Sequence, residues 1–236
     1  MPDLSNKTAL VTGASSGIGL AITQALLQQQ CRVIGIARDF NKVTIESPLF
    51  ESHSQDLTDL NKTGALIKQL SSNNHFDFFI HSAGSAMFGS IEQFSINQID
   101  AHIKSNLTSA LVITHYLIPA MRAQKSGRIV FIGSESAITA GSKGALYSSA
   151  KFGLRGLAQA LREDCSKDGI GVSLINPGMV RTPFFDNQKF KPGALPSNAI
   201  EASDIAQTVL HILSCNPDMV IDEVNLSPRN KSIDFS

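Results

Sequence analysis

The stretch Thr8-Ala9-Leu10-Val11-Thr12-Gly13-Ala14-Ser15-Ser16-Gly17-Ile18-Gly19 decides the fold. Its first residues form a short apolar run of the kind that makes a buried strand, and the residues after Gly17 read as a helix. Gly13 permits a tight turn, Gly17 lets a ligand approach the backbone with no Cβ in the way, and Gly19 allows close packing of helix on strand. A helix opening at Gly17 presents unpaired N–H groups and a positive dipole end to a pyrophosphate. Gly13, Ser15, Ser16, Gly17, Ile18 and Gly19 are therefore candidate cofactor contacts. A glycine triplet alone is an ordinary turn as readily as a site; the strand before it and the helix after it favour dinucleotide binding.

Working outward, apolar runs at 8–11, 32–37, 76–81, 128–133, 172–176 and 219–226 alternate with helical stretches at 17–30, 60–70, 96–123, 145–167 and 202–213. The strands are apolar almost throughout, as strands buried on both faces must be. This βαβ alternation predicts an α/β fold: one doubly wound parallel sheet of the Rossmann type, three layers deep, in a single domain. Ser126-Gly127 and Asp168-Gly169 are expected to end helices, the second with a left-handed glycine cap. The segment 179–199 carries three prolines and three phenylalanines just after a strand end, and is expected to be a mobile substrate loop.

The choice of nucleotide is read at the end of the second strand, Gly35-Ile36-Ala37-Arg38-Asp39. The usual acidic residue that holds an adenosine ribose is replaced there by Ala37, and Arg38 follows. A guanidinium grips a 2′-phosphate through charge-assisted hydrogen bonds, whereas a carboxylate repels it. This favours NADP(H) over NAD(H). The alternative leaves Arg38 as a solvated surface arginine and gives the ribose to Asp39. Asp56 and Leu57, expected after the third strand, are candidates for the adenine; the alternative for Asp56 is a helix N-cap near Thr58.

Tyr147 and Lys151 are spaced four apart in a helical stretch, which puts both on one face. A phenol with its ordinary pKa near 10 is a poor acid or base at neutrality, and a neighbouring ammonium lowers that value. Ser134 ends a strand thirteen residues earlier, at the sheet edge where ligands bind, and its hydroxyl can hold a carbonyl oxygen against the phenol.

Taken in order, the turn 12–19, Ser82-Ala83-Gly84, Asn106, Ser134, Tyr147 with Lys151, and Asn176-Pro177-Gly178 followed by Thr182 resemble the short-chain dehydrogenase/reductase family in its compact single-domain branch. The resemblance runs from about residue 7 to residue 226. It implies that Tyr147 is the general acid in reduction and the base in oxidation. Lys151 would lower the tyrosine's pKa and hold the nicotinamide ribose, Ser134 would orient the substrate oxygen, and Asn106 would hold a water that links Lys151 to solvent. Ser82, Ala83 and Gly84 would line the cofactor crevice, and Pro177, Gly178, Val180 and Thr182 would border the nicotinamide. No metal is implied. Two positions depart from the family. Ser82 stands where an asparagine usually braces neighbouring strands, and the short span between Arg38 and Asp56, interrupted by Pro48, leaves the second crossover helix shortened or lost.

Composition bounds the rest. The chain has 236 residues, 42% hydrophobic and 17% charged, with zero formal net charge. No basic cluster points to nucleic acid, no apolar run is long enough to span a membrane, and no leader precedes the first strand; the expectation is a cytoplasmic protein. Cys31, Cys165 and Cys215 lack metal-ligand spacing and read as buried thiols. His81 reads as a strand-end histidine satisfied by backbone, and His102 and His115 as surface or interface residues of the long helix. Met87, Phe88, Phe184, Phe185 and Phe190 either line an apolar substrate pocket or anchor loops, and Arg181 is a weak candidate for an anionic substrate. The helices at 96–123 and 145–167 resemble subunit-pairing helices, so a homodimer or homotetramer is expected. The leading expectation is an NADP(H)-dependent enzyme acting on a small carbonyl or alcohol substrate. The competing one is a catalytically silent NADP(H)-binding sensor or scaffold of the same fold. An epimerase or dehydratase would need a larger substrate domain than the residues after 226 supply.

Overall fold

A computed structural model describes residues 3–235. Seven strands form one sheet: β1 (Thr8–Thr12), β2 (Arg32–Ala37), β3 (Phe50–Ser54), β4 (Phe78–His81), β5 (Gly127–Ile132), β6 (Ile170–Pro177) and β7 (Glu223–Leu226). The order across the sheet is β7-β6-β5-β4-β1-β2-β3, with every neighbouring pair parallel. The chain thus winds outward from β1 in one direction, returns to β4, and winds outward in the other. The crevice between β1 and β4, above their C-terminal ends, is where ligands bind in sheets of this Rossmann-like kind.

The helices are α1 (Gly17–Gln28), α2 (Leu60–Asn73), α3 (Ile96–Ile103), α4 (Ser109–Gln124), α5 (Ala145–Cys165) and α6 (Ala202–Leu213). The strands sort their side chains by strict alternation. Ala9, Val11, Val33, Ile80, Val130 and Ile132 face α1 and α6. Leu10, Ile34, Phe79, Ile129, Phe131 and Leu174 face α2, α4 and α5. Each valine, leucine, isoleucine or phenylalanine among them removed from water stabilises the sheet by about 1.5–3 kcal/mol, which is why the apolar runs locate the strands well. All three cysteines are buried and free.

Three local features differ from expectation. β3 was not among the six apolar runs. It is a polar edge strand, and Arg32 pairs with its Glu51 at 2.7 Å while His53 meets the same carboxylate at 2.8 Å. Charge on an edge strand blocks pairing with other chains but hides the strand from a search for apolar runs. The first helix stop is made by Lys125, at φ 51°, with Gly127 already in β5; the second is Gly169 at φ 71°, as expected. The segment after β6 is folded. Val180–Arg181 pairs with Ile200–Glu201, and Phe190–Pro192 pairs antiparallel with Ile233–Phe235 near the C-terminus. The connection from β2 to β3 contains no helix, as the short span predicts.

Candidate active site

The glycine turn lies at the C-terminal end of β1. Gly13 adopts φ 71°, and its N–H donates to the Ile36 carbonyl at 2.8 Å. A Cβ on Gly19 would lie 2.2 Å from the Gly13 carbonyl oxygen, so the helix can sit this close to the turn only with glycine there. Gly17 adopts φ 52°, and a Cβ on it would point at Thr182, 3.3 Å away. The turn and the segment after β6 thus face each other across the crevice. The N-terminus of α1 has no side-chain cap and no acidic residue in its first turn. Its N–H groups are left for a ligand, and negative charge is favoured there. A pyrophosphate fits this cradle.

Arg38, just past β2, is exposed and makes no ion pair among the described residues. The Asp39 carboxylate instead accepts from the Asn41 N–H at 2.7 Å, closing its own turn. Asp56 accepts from the N–H and the hydroxyl of Thr58, both at 2.9 Å, while the N-cap of α2 is Asp59. Leu57 is buried. Ser82 and Ala83 donate their N–H groups to the Thr12 hydroxyl oxygen, each at 3.2 Å, which braces β4 to β1 despite the missing asparagine. With its oxygen accepting twice, Thr12 donates its proton to His81 Nδ1 at 3.0 Å. His81 is thus satisfied by a side chain, its Nε2 has no partner among the described residues, and burial pushes its pKa down to about 3.

Asn106 sits in a π-helical turn, Lys104–Thr108, that joins α3 to α4. Such turns concentrate at functional sites. The expected helix at 96–123 is therefore interrupted at this residue. The Asn106 Oδ1 accepts from the Ser85 N–H at 3.3 Å, and its Nδ2 donates to the His102 carbonyl at 3.0 Å. A Cβ on Gly84 would lie 2.6 Å from Asn106 Oδ1 and 3.7 Å from Lys151 Nζ, so the Ser82-Ala83-Gly84 turn, Asn106 and Lys151 converge.

Lys151 Nζ donates to the Ile132 carbonyl at 3.0 Å and lies 5.7 Å from the centre of the Tyr147 ring. Burial lowers its pKa to about 8. For Tyr147 the expected direction is reversed. Burial pushes the phenol up to about 12; the Ser134 hydroxyl opposes that shift, and the Glu135 carboxylate adds to it. The ammonium is turned to a backbone carbonyl, and desolvation of the phenolate prevails. A phenol so held keeps its proton at neutral pH, as a proton donor to a carbonyl oxygen must. Ser134 accepts from the Ser136 N–H at 3.1 Å, and its own N–H donates to Asn176 Oδ1 at 3.3 Å. Asn176 is tied in turn to Glu223 at 2.7 Å and to Asn225 at 3.0 Å. Pro177 closes β6, the Gly178 N–H bonds the Leu226 carbonyl at 2.7 Å, and Val180 is buried, its carbonyl accepting from the Thr182 hydroxyl at 3.5 Å.

Two residues of the site escaped the sequence reading. His102 is buried, not on the surface. Its ring centre lies 6.0 Å from that of Tyr147, and burial, with Lys151 adding to it, lowers its pKa to about 4. Its spacing of four from Asn106 was the signal, since that spacing shares a helix face. Asn176, quoted above only as part of the Asn176-Pro177-Gly178 motif, holds the Ser134 turn, a role the sequence reading did not assign it. Arg181 is committed elsewhere, to Glu201 at 3.2 Å and the Leu195 carbonyl at 3.1 Å. Among the described residues, no group of three or more His, Cys, Asp or Glu could hold a metal, and no helix is long and apolar enough to cross a membrane.

The chain belongs to the short-chain dehydrogenase family, whose model matches residues 7–192; it is an oxidoreductase of that family. An uncharacterised oxidoreductase of Staphylococcus epidermidis is 28% identical over 234 residues, covering 97% of this chain and all of that one. One from Staphylococcus saprophyticus is 28% identical over 237 residues, with the same coverage. A metagenomic short-chain oxidoreductase solved with NADP is 30% identical and superposes with a TM-score of 0.83 over 98% of this chain and all of that one. A protein from Beutenbergia cavernae described as a putative gluconate 5-dehydrogenase, with NADP at low occupancy, has a TM-score of 0.86 at 23% identity, covering 96% of this chain and 97% of its own; it shares the fold.

Proposed function

We propose that this chain is an NADP(H)-dependent carbonyl reductase or alcohol dehydrogenase, a single dinucleotide-binding domain whose segment 179–199 is the substrate loop. The observation that carries the reading is convergence. Asn106, Ser134, Tyr147 and Lys151 come from three separate elements, are all buried, and meet beside the glycine cradle. A chain that only sensed a nucleotide has no need of a buried phenol, ammonium and carboxamide at that place.

When bound, the cofactor supplies or takes up the hydride. Gly13 to Gly19 and the α1 N-terminus would hold its pyrophosphate. Arg38 would hold a 2′-phosphate, with Asp39 already engaged by Asn41. Asp56 and Leu57 would border the adenine, Ser82, Ala83 and Gly84 the middle of the crevice, and Pro177, Gly178, Val180 and Thr182 the nicotinamide. The NADP in the 30% identical structure supports the same choice here. Ser134 would orient the substrate oxygen, and Tyr147 Oη would give it a proton during reduction. Lys151 would supply positive charge near the phenolate left behind, and Asn106 would hold a water on the path that reprotonates it. Leu111 and Phe152, apolar and exposed on α4 and α5, support a homodimer or homotetramer with these helices paired.

The chain has no tryptophan, so nicotinamide fluorescence can be read with little background. Titration with NADPH and NADH, followed by NADPH oxidation across a panel of ketones and aldehydes, tests the reading. Tight NADPH binding with turnover is expected; binding without turnover on any carbonyl would leave a nucleotide sensor.

A further inference from the structure

Five aromatic rings close a circuit over the site. The Phe88 ring centre lies 4.9 Å from that of Tyr147, Phe190 lies 5.1 Å from Phe88, and Phe185 lies 5.7 Å from Phe190. Phe184 lies 5.2 Å from Phe185 and 5.9 Å from Tyr147, which completes the ring of contacts. The phenylalanines come from three places: the loop after β4, the turn Pro183–Phe185, and the short strand Phe190–Pro192. That strand is held by pairing with Ile233–Phe235, and Gln188 Nε2 reaches the Ala86 carbonyl at 3.5 Å to join the two loops. The circuit leaves Tyr147 only 5% exposed. A substrate that presents its carbonyl to the phenol must take the place of ring–ring contacts.

The charges around this vestibule are already committed. Lys151 bonds a backbone carbonyl, Glu135 is paired with Lys231 at 2.7 Å, and Arg181 is paired with Glu201. Asp186, Lys189 and Lys191 point to solvent. An anionic or heavily hydroxylated substrate would lose water against these rings, where the nearest unpaired lysines, Lys189 and Lys191, are exposed to solvent, and that is costly. A flat apolar group would replace one edge-to-face contact with another.

Resting on the oxidoreductase reading above, we propose that the substrate is an uncharged carbonyl compound with an aromatic or flat apolar group beside the reacting carbon, seated between Phe88 and Phe184. During reduction the carbonyl carbon accepts the hydride and its oxygen accepts the Tyr147 proton, giving a secondary alcohol and NADP+.

The test compares acetophenone, dihydroxyacetone and pyruvate as substrates with NADPH. Acetophenone is expected to have a kcat/KM about 100-fold above that of dihydroxyacetone, since a few apolar contacts are worth one to two orders of magnitude. Pyruvate should be poorer still. Phe88→Ala and Phe184→Ala should each cut the acetophenone value about tenfold and narrow the preference, while NADPH binding shows that the variants are folded. Equal or better use of dihydroxyacetone or pyruvate overturns the proposal, as does a preference unchanged in both variants. If NADPH binds but no ketone turns over, the carbonyl reductase reading fails on its own. Calorimetry with acetophenone and the NADP+-loaded protein then decides the pocket: binding that is lost in Phe88→Ala supports it, and no binding overturns it.

Discussion

At one end of the crevice Asn106, Ser134, Tyr147 and Lys151 are 0–8% exposed and tied into a web that reaches Ser85, His102, Ile132 and Asn176. At the other end Arg38 and Asp56 stand exposed at the strand ends, on a flank where the crossover from β2 to β3 has no helix. The two ends face different physical demands. A group that must give up a proton at a fixed place needs neighbours that hold it and a wall that excludes water. A group that must recognise a phosphate can stay solvated until the phosphate arrives, because a guanidinium keeps its charge everywhere and forms its hydrogen bonds on contact. Burial at the Tyr147 end has a consequence for stability: His81 and His102 are kept neutral beside Lys151.

The sharpest way to break this contrast is Tyr147→Phe. It removes the phenolic oxygen from the buried end and nothing from the exposed one. The turnover number for ketone reduction should fall by about 10²–10⁴, with NADPH affinity in a fluorescence titration nearly unchanged. A variant that kept its rate would place the proton donor elsewhere.

The second effect is on stability. The pKa values of His81 and His102 are pushed below the ordinary 6.5, to about 3 and about 4. Above pH 6.5 neither histidine binds a proton in the folded or unfolded chain, and no penalty arises. Below 6.5 the unfolded chain takes up protons that the folded one refuses. Stability is then lost by up to about 1.4 kcal/mol per pH unit for each histidine. For His102 the loss levels off near pH 4, and for His81 near pH 3. Urea midpoints followed by circular dichroism from pH 7.5 to 5 should fall, and His81→Gln and His102→Gln should each flatten the slope. A slope unaltered in both would mean that neither ring is shut off from protons.

The smallest effect belongs to the exposed end. Arg38→Ala should weaken NADPH about 10- to 100-fold, the worth of a charge-assisted pair, and leave NADH and the melting temperature almost untouched. If NADH weakens equally, Arg38 holds something common to both nucleotides and the phosphate reading is lost.

Much of this was legible in the chain because the periodicities are local. Leu10 against Ala9 and Val11, or Phe131 against Val130 and Ile132, fall on opposite faces of the sheet by alternation alone. β3 was illegible because only Phe50 of its five residues is apolar and packs against the core, while the rest of the strand is held by backbone pairing with β2. The spacing of Tyr147 and Lys151 was enough to place them together. It was not enough to give the direction of the tyrosine's pKa, because that depends on where the ammonium points and on how many rings exclude water.

The sequence by itself determined the faces of the apolar strands, the glycine positions that a tight turn and a close helix demand, and the shared helix face of Tyr147 and Lys151. Those follow from steric limits and from spacings of two and four residues, which any local stretch of chain carries, whereas Asn106 was singled out only by the family resemblance. Only the tertiary structure decided that His102 is buried against Tyr147, that Asn176 holds the Ser134 turn, and that Phe88 meets three phenylalanines from a segment about a hundred residues later around one phenol. Burial and contact between distant segments are properties of the packed molecule, and no local pattern encodes them.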